Sequence, residues 1–133
     1  MPVTGIDHLA ITVADVERTV AWYQRVLGAE PLNLDDWRSG RRPVVLLQVG
    51  RERLSVHDAA APASPHASVP TVGSVDLCFR WAGPLQAAQE HLAAQGVPVE
   101  VGPVPRPASS GEMGASVYFR DPDGNLLELL SID

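Results

Sequence analysis

Gly5-Ile6-Asp7-His8-Leu9-Ala10-Ile11 has a counterpart in Gly73-Ser74-Val75-Asp76-Leu77-Cys78-Phe79, and each stretch leads into a helical segment closed by a glycine, Gly28 and Gly96 respectively. The offset is 68 residues from His8 to Asp76 and again from Gly28 to Gly96. A fixed period of this length marks two copies of one supersecondary unit. It also puts a polar side chain, His8 or Asp76, at the same place in each copy. The seam where two copies face each other is where a pocket is expected.

Outward from these stretches, residues 6–13 read as a strand and Asp15 as a helix N-cap. Val16, Val20, Tyr23 and Leu27 then recur on one helical face, and Gly28 is the expected C′ glycine. Residues 31–42 form a polar loop carrying Trp37 and three arginines. Residues 44–49 and 51–57 are strands joined across Val49-Gly50. Residues 59–71, rich in alanine, proline and serine, have no period and read as a linker.

The second copy begins with a strand at 75–81. A helix follows, with Pro84 at its first position and Leu85, Ala88 and Leu92 facing inward. Residues 97–101 are extended, and 103–114 form a flexible segment heavy in proline, serine and glycine. Strands at 116–120 and 126–131 flank the turn Asp121-Pro122-Asp123-Gly124-Asn125. The expected architecture is α+β: two tandem βαβββ modules forming a curved mixed sheet around a cup-shaped site. All 133 residues make one domain, with module 1 at about 4–58, a linker at 59–72 and module 2 at about 73–133.

Composition narrows the function classes. At 45% hydrophobic residues the chain is globular. No apolar run approaches the ~20 residues of a membrane span. The N-terminus has no signal-peptide pattern. A single cysteine, Cys78, forbids an internal disulfide, so a cytoplasmic location is expected. A net charge of −6 without a basic run argues against nucleic acid and anionic membrane as partners. All ten basic residues are arginine, so lysine Schiff-base chemistry is excluded, while bidentate clamping of carboxylate or phosphate is open.

Strand parity sorts the polar residues. His8 shares a face with Ala10 and Thr12. Arg53, Ser55 and His57 share another, as do Asp76, Cys78 and Arg80. Glu128 lies opposite Leu127 and Leu129. Helices are expected to cover the Leu77/Phe79 face, leaving His8, Ser55, His57, Asp76 and Glu128 in the cup. A carboxylate at Glu128, among leucines, needs a metal, a histidine or an arginine.

The openings "GIDHLAITVAD" and "WYQRVLG" and the close "VYFRDPDGNLLELL" resemble the vicinal-oxygen-chelate superfamily, which includes glyoxalase I, fosfomycin-resistance enzymes, extradiol dioxygenases and bleomycin-binding proteins. The combination "RLSVHDA … PTVGSVDLCF … GVPVEVGPVPRP" resembles more narrowly a glyoxalase-domain subgroup with virulence-associated members. The resemblance implies metal ligands at four pseudo-symmetric points: His8, Asp76, Glu128 and, as its first-module counterpart, Ser55. Serine breaks that pattern, and His57, two residues on, offers an imidazole instead. His8, His57 and Glu128 then form the expected metal set, suited to Zn, Ni, Mn or Fe(II). Such an ion would hold two vicinal oxygens and stabilise an enolate, with Glu128 or Asp76 as proton shuttle.

Arg80, Arg53, Tyr118, Trp37 and Ser55 are the expected substrate contacts, with residues 111–114 as a lid. A salt bridge to Arg80 is the rival role for Asp76. Cys78 is read as a small packing residue. The leading expectation is a metal-dependent, glyoxalase-like isomerase or lyase acting on a small oxygenated metabolite as a homodimer. The alternatives are an Fe(II) dioxygenase, a metal-free binder of the bleomycin-binding type and a partner-binding module with a vestigial cup.

Overall fold

The computed structural model describes all 133 residues and divides into two compact units, Met1–Val72 and Gly73–Asp133. Each is built on a four-stranded mixed sheet.

In the first unit the order is β1 (Leu9–Val13), α1 (Val16–Leu27), β2 (Glu30–Pro31), α2 (Leu34–Arg38), β3 (Val45–Val49) and β4 (Glu52–Asp58). The sheet runs β1-β4-β3-β2, with β1 parallel to β4 and the other pairs antiparallel. Asp15 caps α1 by accepting the Arg18 N–H at 3.0 Å, and Gly28 closes it in the left-handed region at φ 65°. Val16, Val20, Tyr23 and Val26 are buried on its inner face, and Ile11, Val13, Val45, Leu47, Leu54 and Val56 are the buried residues of the sheet. Two expectations shift. β1 starts at Leu9, because its ladder to β4 begins at Leu9–Leu54, and Ile6 is left exposed. The stretch 31–42 is not all loop. The Asn33 side chain bonds the Val44 carbonyl and the Leu46 N–H, anchoring the chain to β3 as α2 begins.

The second unit comprises β5 (Asp76–Arg80), α3 (Leu85–Ala94), β6 (Val101–Pro107), β7 (Met113–Arg120) and β8 (Leu126–Ser131). Its sheet runs β5-β8-β7-β6, with β5 parallel to β8. Ala88 and Leu92 of α3 are buried where the helix meets β7 and β8. Val117, Phe119, Leu127 and Leu129 are buried on the same side. Pro84 is the N-cap of α3 and not its first helical residue.

The stretch read as flexible, 103–114, is instead strand β6, a tight turn and the start of β7. The turn is closed by Ala108 N–H to Glu112 O at 2.8 Å and Gly111 N–H to Ala108 O at 2.8 Å, so 111–114 is no free lid. The prolines escape the usual penalty through position and spacing. β6 is an edge strand, and Pro103, Pro105 and Pro107 alternate. Only the residues between them, Val104 and Arg106, have an N–H to give to β7.

Gly102, at φ 110°, lies within the register shift of β6 between Val101 and Val104. A Cβ there would collide with the Ser116 carbonyl oxygen. Gly102→Ala combines a strained φ with a backbone clash, so we expect a loss of about 2–4 kcal/mol. Urea unfolding checks it; a midpoint unchanged from wild type would contradict the crowding.

Candidate functional site

Each sheet has one face committed to apolar packing and one left for polar side chains. In the second unit, in-register neighbours on the polar face form rows. Cys78, Glu128 and Tyr118 make one row, and Arg80, Leu130 and Ser116 the next. In the first unit the equivalent rows are Ala10, Ser55 and Leu46, then Thr12 and His57. Ala10 pairs with Ser55 as Cys78 pairs with Glu128, and the 68-residue offset carries Ala10 onto Cys78. Ser55 and Glu128 therefore occupy equivalent lattice points.

Glu128 is half-buried. Ser116, fully buried, donates its hydroxyl to Glu128 Oε2 at 2.5 Å. Cys78 is a second hydrogen-bonding neighbour of this carboxylate. Glu128, Cys78, Arg80, Tyr118 and Leu130 line one wall of a cavity of about 450 Å³. Its other wall is the β6–β7 hairpin, through Arg106, Pro107, Ala108 and Ser109. Burial, followed by the Glu128 charge and a hydrogen bond to Glu128, pushes the Cys78 thiol up to about 12, with Asp76 adding and Arg80 opposing. A thiol this weak an acid is not a nucleophile near neutrality. Cys78 is also exposed, not a packing residue.

Asp76 and Arg80 share the face but form no salt bridge. The Asp76 row contains Leu126 and Arg120, whereas Arg80 lies two rows on, beside Leu130. Arg120 is held by Glu100 at 3.0 Å.

In the first unit His8 lies just before β1, with Nδ1 2.8 Å from Asp7 Oδ1, which leaves Nε2 free. A carboxylate on one ring nitrogen is the arrangement that orients a histidine ligand. Ser55 is buried, and His57 is half-buried with its pKa lowered, first by burial and then by the charge of His66. Arg53 Nε donates to Gln48 Oε1 at 2.9 Å. Trp37 lines a separate, more open cavity of about 560 Å³ with Glu17, Arg38, Arg42 and Asp58, and none of His8, Ser55 or His57 lines it.

Within neither unit do three histidine, cysteine or acidic side chains gather as a metal-holding group. Imidazole and carboxylate, the donor types that His8 and Glu128 supply, nonetheless suit a divalent ion. Sequence reasoning missed Arg106, Ser116 and Asp7. The alternating prolines around Arg106 were the available sign of a strand there.

A model of the Glyoxalase/Bleomycin resistance protein/Dioxygenase superfamily matches residues 5–129. Virulence protein STM3117 of Salmonella typhimurium is 35% identical over 129 residues, covering 97% of this chain and 85% of that protein. Its crystal structure superposes with a TM-score of 0.89, covering 100% of both chains. Lactoylglutathione lyase from Agrobacterium tumefaciens is 25% identical with a TM-score of 0.70, covering 98% of this chain and 96% of that one. A mutant of the fosfomycin resistance protein FosX from Listeria monocytogenes, solved with Mn(II), shares the fold at 23% identity and a TM-score of 0.63, covering 96% and 90%.

Proposed function

This chain belongs to the Glyoxalase/Bleomycin resistance protein/Dioxygenase superfamily, and from that premise we propose that it is a divalent-metal enzyme acting on a small oxygenated metabolite by glyoxalase-like isomerase or lyase chemistry. The observation that carries the reading is Glu128: a half-buried carboxylate that lines the cavity of the second unit and is held by the buried Ser116 hydroxyl. In this reading His8, His57 and Glu128 hold the metal. Two imidazoles and one carboxylate suit a divalent ion, and the active form in this reading is a homodimer. A bound divalent ion would supply Lewis-acid charge to two adjacent oxygens of the substrate.

The chain's own groups do the rest. Asp76 and Glu128 are the carboxylates that move the proton an isomerisation requires. Tyr118 and Arg80 line the substrate cavity beside Glu128. The buried Ser55 hydroxyl orients a neighbouring group, while Arg53 and Trp37 contribute substrate contacts in this reading. No helix is long and apolar enough to cross a membrane, and a cytoplasmic location fits the single cysteine.

Metal analysis tests the reading. Metal-stripped protein titrated with Mn(II) and followed by the electron paramagnetic resonance of the free ion should bind it stoichiometrically. His8→Ala and Glu128→Ala should each weaken binding by about a hundredfold or more, the scale of losing one ligand. Folded wild-type protein that takes up no metal would favour the rival, a metal-free small-molecule binder. Ser55 supports that rival, since a hydroxyl stands where the other unit has a carboxylate.

A further inference from the structure

Resting on that reading of the second unit, we propose that the cavity under the β6–β7 hairpin takes the oxyanion end of an anionic substrate, held between Arg80 and Arg106. The ligand class is a small carboxylate- or phosphate-bearing metabolite with a short carbon stem directed at Glu128.

The argument begins with which arginines are already matched. Arg38 is bound in bidentate fashion by Glu17, Arg41 by Asp36 and Arg120 by Glu100. Arg80 and Arg106 both line the cavity, and neither has a carboxylate in ion-pair reach. In a chain with 16 acidic residues against ten arginines, two guanidiniums without an acid beside one cavity are a conspicuous surplus. Glu128 is the one carboxylate among the lining residues, against two guanidiniums.

Arg106 is also held in place. Its Nε donates to the Tyr118 hydroxyl at 3.0 Å, Nη1 donates to the Pro105 carbonyl at 2.9 Å, and its carbon lies 5.6 Å from the Tyr118 ring centre. Three of its five N–H groups remain for a ligand. A guanidinium fixed this way has little rotamer freedom left to lose, and its planar fork matches a carboxylate or phosphate edge. Leu130, Pro107 and Ala108 supply apolar wall for the stem. The volume of about 450 Å³ falls in the range of small-molecule sites.

The test uses full-length, metal-free protein and the arginine Nε–Hε signals in proton–nitrogen correlation spectra. The probes are glycolate, its neutral isostere glycolamide, and inorganic phosphate. Glycolate or phosphate should shift the Arg80 and Arg106 signals saturably, and glycolamide should not. Arg80→Ala and Arg106→Ala should each weaken anion binding by about tenfold or more, the scale of a charge-assisted hydrogen bond. Arg106→Lys should fail to restore it. The relative affinity of glycolate and phosphate distinguishes the two anion sources. Equal binding of glycolamide, or anion affinity unchanged in the arginine variants, overturns the inference. Working without metal separates the two readings. Mn(II) uptake with anion binding indifferent to the arginines removes the clamp and leaves the metal enzyme. Arginine-dependent anion binding without Mn(II) uptake does the reverse.

Discussion

Native protein at pH 8 should react with iodoacetamide at Cys78 about a thousandfold more slowly than the unfolded chain. The sign follows from the acid. Only thiolate reacts, and a thiol moved from its ordinary 9.0 to about 12 has about a thousandth of the thiolate at that pH. The residue is exposed while its thiol is partly desolvated, so substitution of the charged neighbours, and not exposure, separates weak acidity from exclusion of the reagent. The causes can be separated by substitution. Glu128→Gln removes a charge that disfavours the thiolate and should speed alkylation. Arg80→Ala removes the one charge that favours it and should slow alkylation further. A native rate within tenfold of the unfolded rate would mean that the thiol is not desolvated as described, and Glu128→Gln alkylating no faster than wild type would mean that Cys78 and Glu128 do not face each other. The same coupling bears on function. A thiol held this far from ionisation is a poor nucleophile near neutrality.

That neighbourhood shows where the sequence was legible. Strand parity put Cys78 and Glu128 on one face, and the ladder pairs them directly. The alignment of Ser55 with Glu128, made on flanking apolar residues, reappears as equal register against Ala10 and Cys78. Both succeeded because alternation along a half-buried strand is a local property, set by which side chains avoid water. The failures lie where a neighbour decides the outcome. Nothing local in residues 103–107 favours a strand. Three prolines argue against one, and β6 exists because β7 offers an edge and the prolines fall on alternate positions. Arg106 was passed over for that reason. The rival role for Asp76, a salt bridge to Arg80, fails differently. Parity gives the shared face, but four residues along one strand separate the two Cα atoms by about 13 Å, beyond ion-pair reach.

Asn125→Ala should cost about 4 kcal/mol of stability, because one buried side chain closes two hydrogen-bonding circuits. Asn125 is 1% exposed. Its Nδ2 donates to Asp121 Oδ2 at 2.8 Å, and its Oδ1 accepts the Val75 N–H at 2.9 Å from across the sheet. Asp121, also buried, accepts the backbone N–H groups of Asp123 and Asn125 through its other oxygen. Alanine at 125 strands the Val75 N–H and takes the Asn125 amide donor away from the buried Asp121 carboxylate. A buried orphan costs about 1–3 kcal/mol, and more when charged. The loss should spread to the candidate site, since Val75 leads directly into β5, whose pairing with β8 sets Cys78 opposite Glu128. Asn125→Asp separates the donor from the space it fills. It keeps the volume and an acceptor for Val75 but turns a carboxylate oxygen toward Asp121, so it should be at least as damaging as alanine. Urea unfolding of both variants measures this. If Asn125→Asp stays within about 1 kcal/mol of wild type, the Asn125 amide donor is not what holds the turn and cannot be what fixes the β5–β8 register.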